Sequence, residues 1–122
     1  MDAEIGARPD TECYWMERPD GWWVEVAGLD PRAMTLLLLE RKARWVTLSV
    51  STLPDGARRL IYSWEVSGRP LNITTTIAAT PIDSIADLVP AAGRAERELY
   101  DRDNIEFVGL EAPAPLVQPR IA

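Results

Sequence analysis

Residues 44–78, RWVTLSVSTLPDGARRLIYSWEVSGRPLNITTTIA, decide the fold class of this chain. Three segments with apolar residues at every second position are separated by two turn sequences, PDG at 54–56 and SGRP at 67–70. Period-2 alternation with short turns is typical of an antiparallel meander that buries one face. The residues predicted to face the core are Val46, Leu48 and Val50, then Leu60, Tyr62, Trp64 and Val66, then Leu71, Ile73, Thr75 and Ile77.

A hairpin is predicted before this meander. Segments 13–17 and 22–27 flank the sequence RPDG at 18–21, in which proline sets φ and glycine permits a positive φ. In the second segment Trp22, Val24 and Val26 point to one face, and the residues between them point to the other.

A helix is predicted over residues 31–43, between the hairpin and the meander. Asp30 suits the N-cap, and Pro31 suits the first helical position. The four leucines of MTLLLL, at 34–39, spread over more than one face, so part of that surface should meet a second layer or a partner. The basic residues that follow read as a helix end, where cations complement the dipole, rather than as a nucleic-acid contact.

The last third of the chain has a helical pattern. It begins after Pro81 with Ile82, Ile85, Leu88 and Val89 and leads into a helix that contains ERELYD, residues 96–101. The final segment, PAPLVQPRIA, has three prolines and no periodicity. We therefore predict a single α+β domain over residues 1–110, with a mainly antiparallel sheet and helices on one face, followed by a Pro-rich tail at 111–122.

Composition narrows the classes of partner. A chain of 122 residues fits one domain, and a net charge of −6 argues against nucleic acid or an anionic membrane surface. The longest apolar run, at 34–39, is far shorter than the roughly 20 residues of a membrane span. The N-terminal MDAEIGARPD has no apolar core of a signal peptide, and the single Cys13 excludes an internal disulfide. A soluble, cytoplasmic protein is expected.

The sequence offers little catalytic chemistry. There is no histidine, which removes the commonest general base, a common metal ligand and every Ser-His-Asp arrangement. No glycine-rich phosphate loop is present, and Cys13 reads as a half-buried strand residue. A carboxylate metal site of Asp101, Asp103 and Glu106 is conceivable, but the turn glycine and terminal glutamate of a calcium loop are missing. Catalysis within this chain is not predicted.

The charges around ERELYD have two interpretations. Spacings of four residues on a helix would form a ladder of ion pairs on a solvated face, each worth about 0.3–0.5 kcal/mol. The same charges could equally form a surface that docks on a partner. The pairs at this spacing are Glu96–Tyr100, Arg97–Asp101, Glu98–Arg102 and Arg94–Glu98.

The order of residues across 81–109 resembles the signature of one small accessory subunit of respiratory complex I, the NADH–quinone oxidoreductase. The corresponding subunit of membrane-bound nickel–iron hydrogenases shares it. The matching motifs are PIDSIADL at 81–88, PAA at 90–92, ERELYD at 96–101 and IEFVG at 105–109. The block from ERELYD to IEFVG has nine matching positions at the right offsets, which makes it fairly specific.

The departures from that signature suggest a shortened or divergent member. Asp103-Asn104 stands where the family has Phe-Gly, and asparagine is the next-best residue after glycine in a left-handed turn. Loss of the aromatic at Asp103 removes an apolar contact. Gly109 is followed by LEAP rather than HPDLR. The family's long basic tail and the N-terminal helix of many members are missing or cut down.

The resemblance implies an accessory subunit with no cofactor in this chain, which supports electron transfer from NADH to quinone without catalysing it. Its partners would be the large quinone-site subunit and neighbouring iron–sulfur subunits, in a peripheral arm on the cytoplasmic side of the inner membrane, with no direct membrane insertion. The alternatives are the equivalent hydrogenase subunit and a free-standing interaction domain. The residues expected to dock are Glu96, Arg97, Glu98, Tyr100, Asp101 and Phe107.

Overall fold

A computed structural model describes residues 13–77 and 81–110, which form a five-stranded sheet, a two-stranded sheet and two helices. This confirms the α+β class. The prolines and other residues of the predicted tail at 111–122 lie outside the described residues. The elements are β1 (Cys13–Arg18), β2 (Gly21–Val26), α1 (Pro31–Glu40), β3 (Arg44–Thr52), β4 (Arg58–Val66), β5 (Arg69–Ile77), β6 (Ile82–Asp83), α2 (Pro90–Asp103) and β7 (Phe107–Val108).

The larger sheet has the strand order β1-β2-β5-β4-β3. The predicted hairpin β1-β2 and the meander β3-β4-β5 are both antiparallel. The two units join through a parallel pairing of β2 with β5, so the sheet is mixed, although mainly antiparallel. Because β5 and β4 lie between β2 and β3, α1 carries the chain across the width of the sheet.

The core lies between one face of this sheet and the helices. Leu60, Tyr62 and Trp64 of β4 are fully buried, and Trp45 packs edge-on against Trp64 with ring centroids 5.2 Å apart. The buried residues of both helices belong to the same cluster as those of the sheet: Met34 and Leu38 from α1, Ala92 and Leu99 from α2, and Val24, Val26, Leu48, Leu71 and Ile73 from the strands.

A register shift in β3 corrects one prediction. Trp45 pairs with Trp64, but the next paired residue is Thr47, opposite Ser63, so the ladder is irregular at Val46. Such a bulge moves the strand by one residue and exchanges the faces of its side chains. Trp45 therefore points to the core beside Trp64, and Val46 is 54% exposed. The prediction that Val46 faces the core is wrong.

Helix α1 begins as predicted and ends early. The Asp30 side chain accepts hydrogen bonds from the backbone N–H groups of Arg32 (3.1 Å) and Ala33 (3.2 Å), as an N-cap does. The helix ends at Glu40 rather than at residue 43, and Lys42 has a left-handed φ of 63°. Leu36 and Leu39 remain exposed.

The segment before α2 is not helical, contrary to the sequence prediction. Ile82 and Asp83 form the short strand β6, parallel to β7, and α2 begins only at Pro90. The backbone N–H of Ser84 donates to the carbonyl of Val108 (2.8 Å), so this segment is tied to the chain beyond α2. Its apolar spacing reflects contacts with the core instead of a helical period, since Ile82, Ile85 and Val89 are buried. Among the described residues, no helix is long and apolar enough to cross a membrane.

Candidate docking surface

Helix α2 carries most of the residues that the sequence singles out. Pro90 occupies its first turn, and Asn104 ends it in a left-handed conformation with φ 59° and ψ 35°. The backbone N–H of Asn104 donates to the carbonyl of Tyr100 at 3.0 Å. The expectation that asparagine preserves the turn at this position is thereby confirmed.

One side of α2 packs into the molecule. Ala92, Gly93, Glu96 and Leu99 are buried, at spacings of three and four residues that define one helical face. Gly93 permits a close approach: a Cβ built there would lie 3.1 Å from the Cβ of Ala86 in the preceding segment. The helix and residues 84–87 are therefore in tight contact.

The six predicted docking residues fall into two groups. Glu98, Tyr100 and Asp101 are exposed, and Arg97 is partly buried. Glu96 is completely inaccessible and Phe107 is only 8% exposed. Glu96 and Phe107 therefore do not lie on a docking surface of this chain, and their inclusion in it is corrected by the structure. For the other four, docking remains a prediction.

Glu96 is instead the centre of a buried hydrogen-bond network. Its carboxylate accepts from the Ser84 hydroxyl at 2.6 Å and from the backbone N–H of Ile85 at 2.8 Å. The Ser84 oxygen accepts in turn from the backbone N–H of Ala86 at 3.1 Å. Burial raises the pKa of the Glu96 carboxyl, against the opposing effect of the two hydrogen bonds. The hydroxyl of Tyr62 is buried nearby, and burial followed by the charge of Glu96 raises its pKa far above the usual range.

A second network fixes the same segment from α1. The Arg32 guanidinium donates to both carboxylate oxygens of Asp87, at 2.7 and 2.9 Å, and to the carbonyl of Ser84 at 3.0 Å. The hydrogen bond from Arg32 lowers the pKa of Asp87. Bidentate pairs of this kind fix geometry as well as charge. Residues 84–87 are thus held by one side chain from each helix.

A groove of about 640 Å³ runs between α2 and this segment. Arg97, Glu98 and Asp101 line it from the helix. Ala86 and Asp87 line the opposite side, so the groove has two walls with charges of both signs. Tyr100 is 49% exposed but does not line the groove. The remaining lining residues are Pro90, Gly93, Arg94, Gly109 and Leu110.

The predicted ladder of ion pairs along α2 forms differently. Arg102 pairs with its neighbour Asp103 through a contact of 3.2 Å between Nε and Oδ2, rather than with Glu98. Glu96 turns inward to Ser84 and Ile85 instead of outward to Tyr100. The helix is therefore not a uniformly solvated surface.

Sequence reasoning missed Ser84, Asp87 and Arg32 as organising residues. Ser84 and Asp87 belong to the stretch PIDSIADL, so the motif marked their importance without revealing their role. Arg32 lies 55 residues from Asp87, and no local period could connect the two. In residues 13–77 and 81–110, no group of three or more His, Cys, Asp or Glu side chains is placed to hold a metal ion.

Comparisons with known proteins give one family. The family model described as "Respiratory-chain NADH dehydrogenase, 30 Kd subunit" matches residues 27–120. Among solved structures, the trypsin-resistant fragment (1–134) of Nqo5 is similar, with a TM-score of 0.68 and 15% sequence identity. That similarity covers 82% of this chain and 89% of the Nqo5 fragment. None of the curated proteins gives a significant match.

Proposed function

The chain belongs to the family of the 30 kDa subunit of respiratory-chain NADH dehydrogenase, and we propose that it is a non-catalytic subunit that docks on the large quinone-site subunit of that complex. In this role it would stabilise the peripheral arm, through which electrons pass from NADH to quinone. Neighbouring iron–sulfur subunits would be its other contacts. The assembled protein would lie on the cytoplasmic side of the inner membrane without entering it.

The observation that carries the proposal is the two-walled groove beside α2. It combines charged side chains of both signs, Arg97, Glu98 and Asp101, with close backbone approach at Gly93. Charge complementarity at an interface fixes register and excludes wrong partners more than it adds affinity. Tyr100, half-exposed at the side of the groove, is of a residue type enriched in interfaces. Such a surface suits a specific, permanent neighbour better than a soluble substrate.

We expect Asp101→Arg to weaken binding to the large quinone-site subunit by about 2–5 kcal/mol, because reversal of a charge within the contact leaves a buried partner charge unpaired. The same change should alter the stability of the isolated chain by about 0.5 kcal/mol or less, since Asp101 is exposed. Asp101 is a cleaner probe than Arg97, which is partly buried. Titration calorimetry and thermal melting measure the two quantities.

Glu40→Arg is the matched control, because Glu40 is an exposed acid on α1 that does not line the groove. It should leave binding unchanged. Equal loss of affinity in both variants would indicate a general charge effect and would contradict docking through the groove. Binding of the parent chain to the large subunit of a nickel–iron hydrogenase, but not to the quinone-site subunit, would favour the hydrogenase alternative.

We also propose that the chain holds no redox centre and no nicotinamide nucleotide of its own. The absence of histidine, the single cysteine and the lack of a phosphate-binding glycine loop support this. The purified chain should show no visible absorption band and no calorimetric binding of NADH at micromolar concentration. An iron-dependent absorption band or micromolar NADH binding would contradict the proposal.

A further inference from the structure

Glu96 is unusual in that it is a charged residue with no solvent exposure at all. A buried carboxylate costs free energy unless it is fully hydrogen-bonded, and an apolar residue of similar size often gives an equally stable core. Each carboxylate oxygen of Glu96 accepts one short hydrogen bond, at 2.6 Å from Ser84 and 2.8 Å from Ile85. Both donors belong to one short segment, so Glu96 fixes the position of that segment relative to α2.

The segment held by Glu96 is one wall of the groove. Ala86 and Asp87 line the groove opposite Glu98 and Asp101. Ala86 is fixed twice, by the hydrogen bond from its N–H to the Ser84 hydroxyl and by its contact with Gly93. Asp87 is oriented by Arg32. The distance between the two walls therefore depends on Glu96 from inside and on Arg32 from outside.

On the basis of the proposed docking function, we propose that Glu96 is a positioning residue for the groove and that Ala86–Asp87 is a second contact surface for the partner. Glu96 does not touch the partner; it holds Ser84 and Ile85 so that Asp87 faces the groove in a fixed place. The Asp87 carboxylate accepts hydrogen bonds, so the partner group that meets it is a donor such as a lysine, arginine or amide side chain. A preformed wall lowers the cost of ordering the interface on association.

The test is a double-mutant cycle on the affinity of the full chain for the large quinone-site subunit. Glu96→Ala should weaken docking about tenfold or more, in line with loss of hydrogen bonds to a charged group. Asp87→Asn should weaken docking in the parent chain but have no further effect in Glu96→Ala, because the wall is already displaced. Tyr100→Ala, at a position outside the network, should have the same effect in both backgrounds. A purely structural role for Glu96 would produce no such selective coupling.

Two further variants keep the test decisive if Glu96→Ala fails to fold. Ser84→Ala removes one hydrogen bond and should weaken docking by a smaller factor while showing the same coupling to Asp87→Asn. Glu96→Gln keeps the shape and an acceptor for the Ile85 N–H, and should restore most of the affinity. If Asp87→Asn weakens docking equally with and without Ser84→Ala or Glu96→Ala, the positioning role is wrong, although docking itself stands. If the parent chain shows no binding to the large quinone-site subunit, the proposed function is wrong.

Discussion

We expect Trp64→Ala to lower the free energy of unfolding by about 3–5 kcal/mol, the range for truncation of a fully buried large aromatic residue. Trp64 lies in β4, paired with Trp45 on one side and with Leu71 on the other, and is inaccessible to solvent. Its indole packs edge-on against Trp45. Alanine would leave a cavity in the middle of the sheet's buried face, where neighbours from three strands cannot all move to fill it. Chemical denaturation followed by circular dichroism measures the change.

Trp23→Ala is the matched control, since Trp23 lies on the opposite face of the same sheet and is only partly buried. It loses a hydrogen bond from its indole N–H to Asp20 (3.0 Å) and a contact with the Arg18 guanidinium. These interactions are worth about 1–2 kcal/mol together. A Trp64→Ala protein that unfolds at the same denaturant concentration as Trp23→Ala would contradict the placement of the core on this face.

The strands could be predicted where burial and local period agree. β4 has its apolar residues at strict alternation, and Leu60, Tyr62 and Trp64 are buried as the sequence indicates. β3 begins with the same alternation, but the bulge at Val46 shifts the register by one residue. A bulge is set by the pairing with β4 and leaves the composition of the strand unchanged. The exposure of Val46 therefore could not be predicted from β3 alone.

The pairing of β2 with β5 shows a second limit. Val24 and Val26 predict a strand with one buried face, and the structure has such a strand. The same alternation would arise whether β2 met β5 in a parallel pair or met another strand in an antiparallel one. The choice depends on how α1 crosses the sheet, which is a property of the whole chain.

Glu96 shows why the docking surface was only partly predictable. A glutamate between arginine and glutamate in a charged stretch reads as a surface residue, since buried carboxylates are rare. What brings Glu96 inside is the pair of donors on Ser84 and Ile85, twelve and eleven residues earlier, in a segment that the sequence predicts to be helical. Once that segment is a strand and a turn, its free N–H and hydroxyl groups need an acceptor, and Glu96 supplies it. The error in secondary structure and the error in burial thus have one cause.

We expect Gly21→Ala to destabilise the protein by about 2–4 kcal/mol, from backbone strain and overpacking together. Gly21 opens β2 with φ at +122°, a conformation that residues with a side chain rarely adopt. A Cβ there would lie 2.5 Å from the carbonyl oxygen and 2.7 Å from the Cβ of Pro70. Pro70 cannot move easily, because it belongs to β5, next to β2 in the sheet.

Gly56→Ala separates the two contributions to that loss. Gly56 also has a positive φ, of 91°, but a Cβ added there would meet nothing within 4 Å. It should therefore cost only the strain, about 1 kcal/mol, and the excess loss in Gly21→Ala measures the contact with Pro70. Urea denaturation of both variants, with tryptophan fluorescence as the signal, gives the two free energies. Equal losses would mean that the β2–β5 junction is not as close as the structure has it. A larger loss at Gly21 would confirm that glycine is required there because a strand from the hairpin meets a strand from the meander, and not by the turn alone.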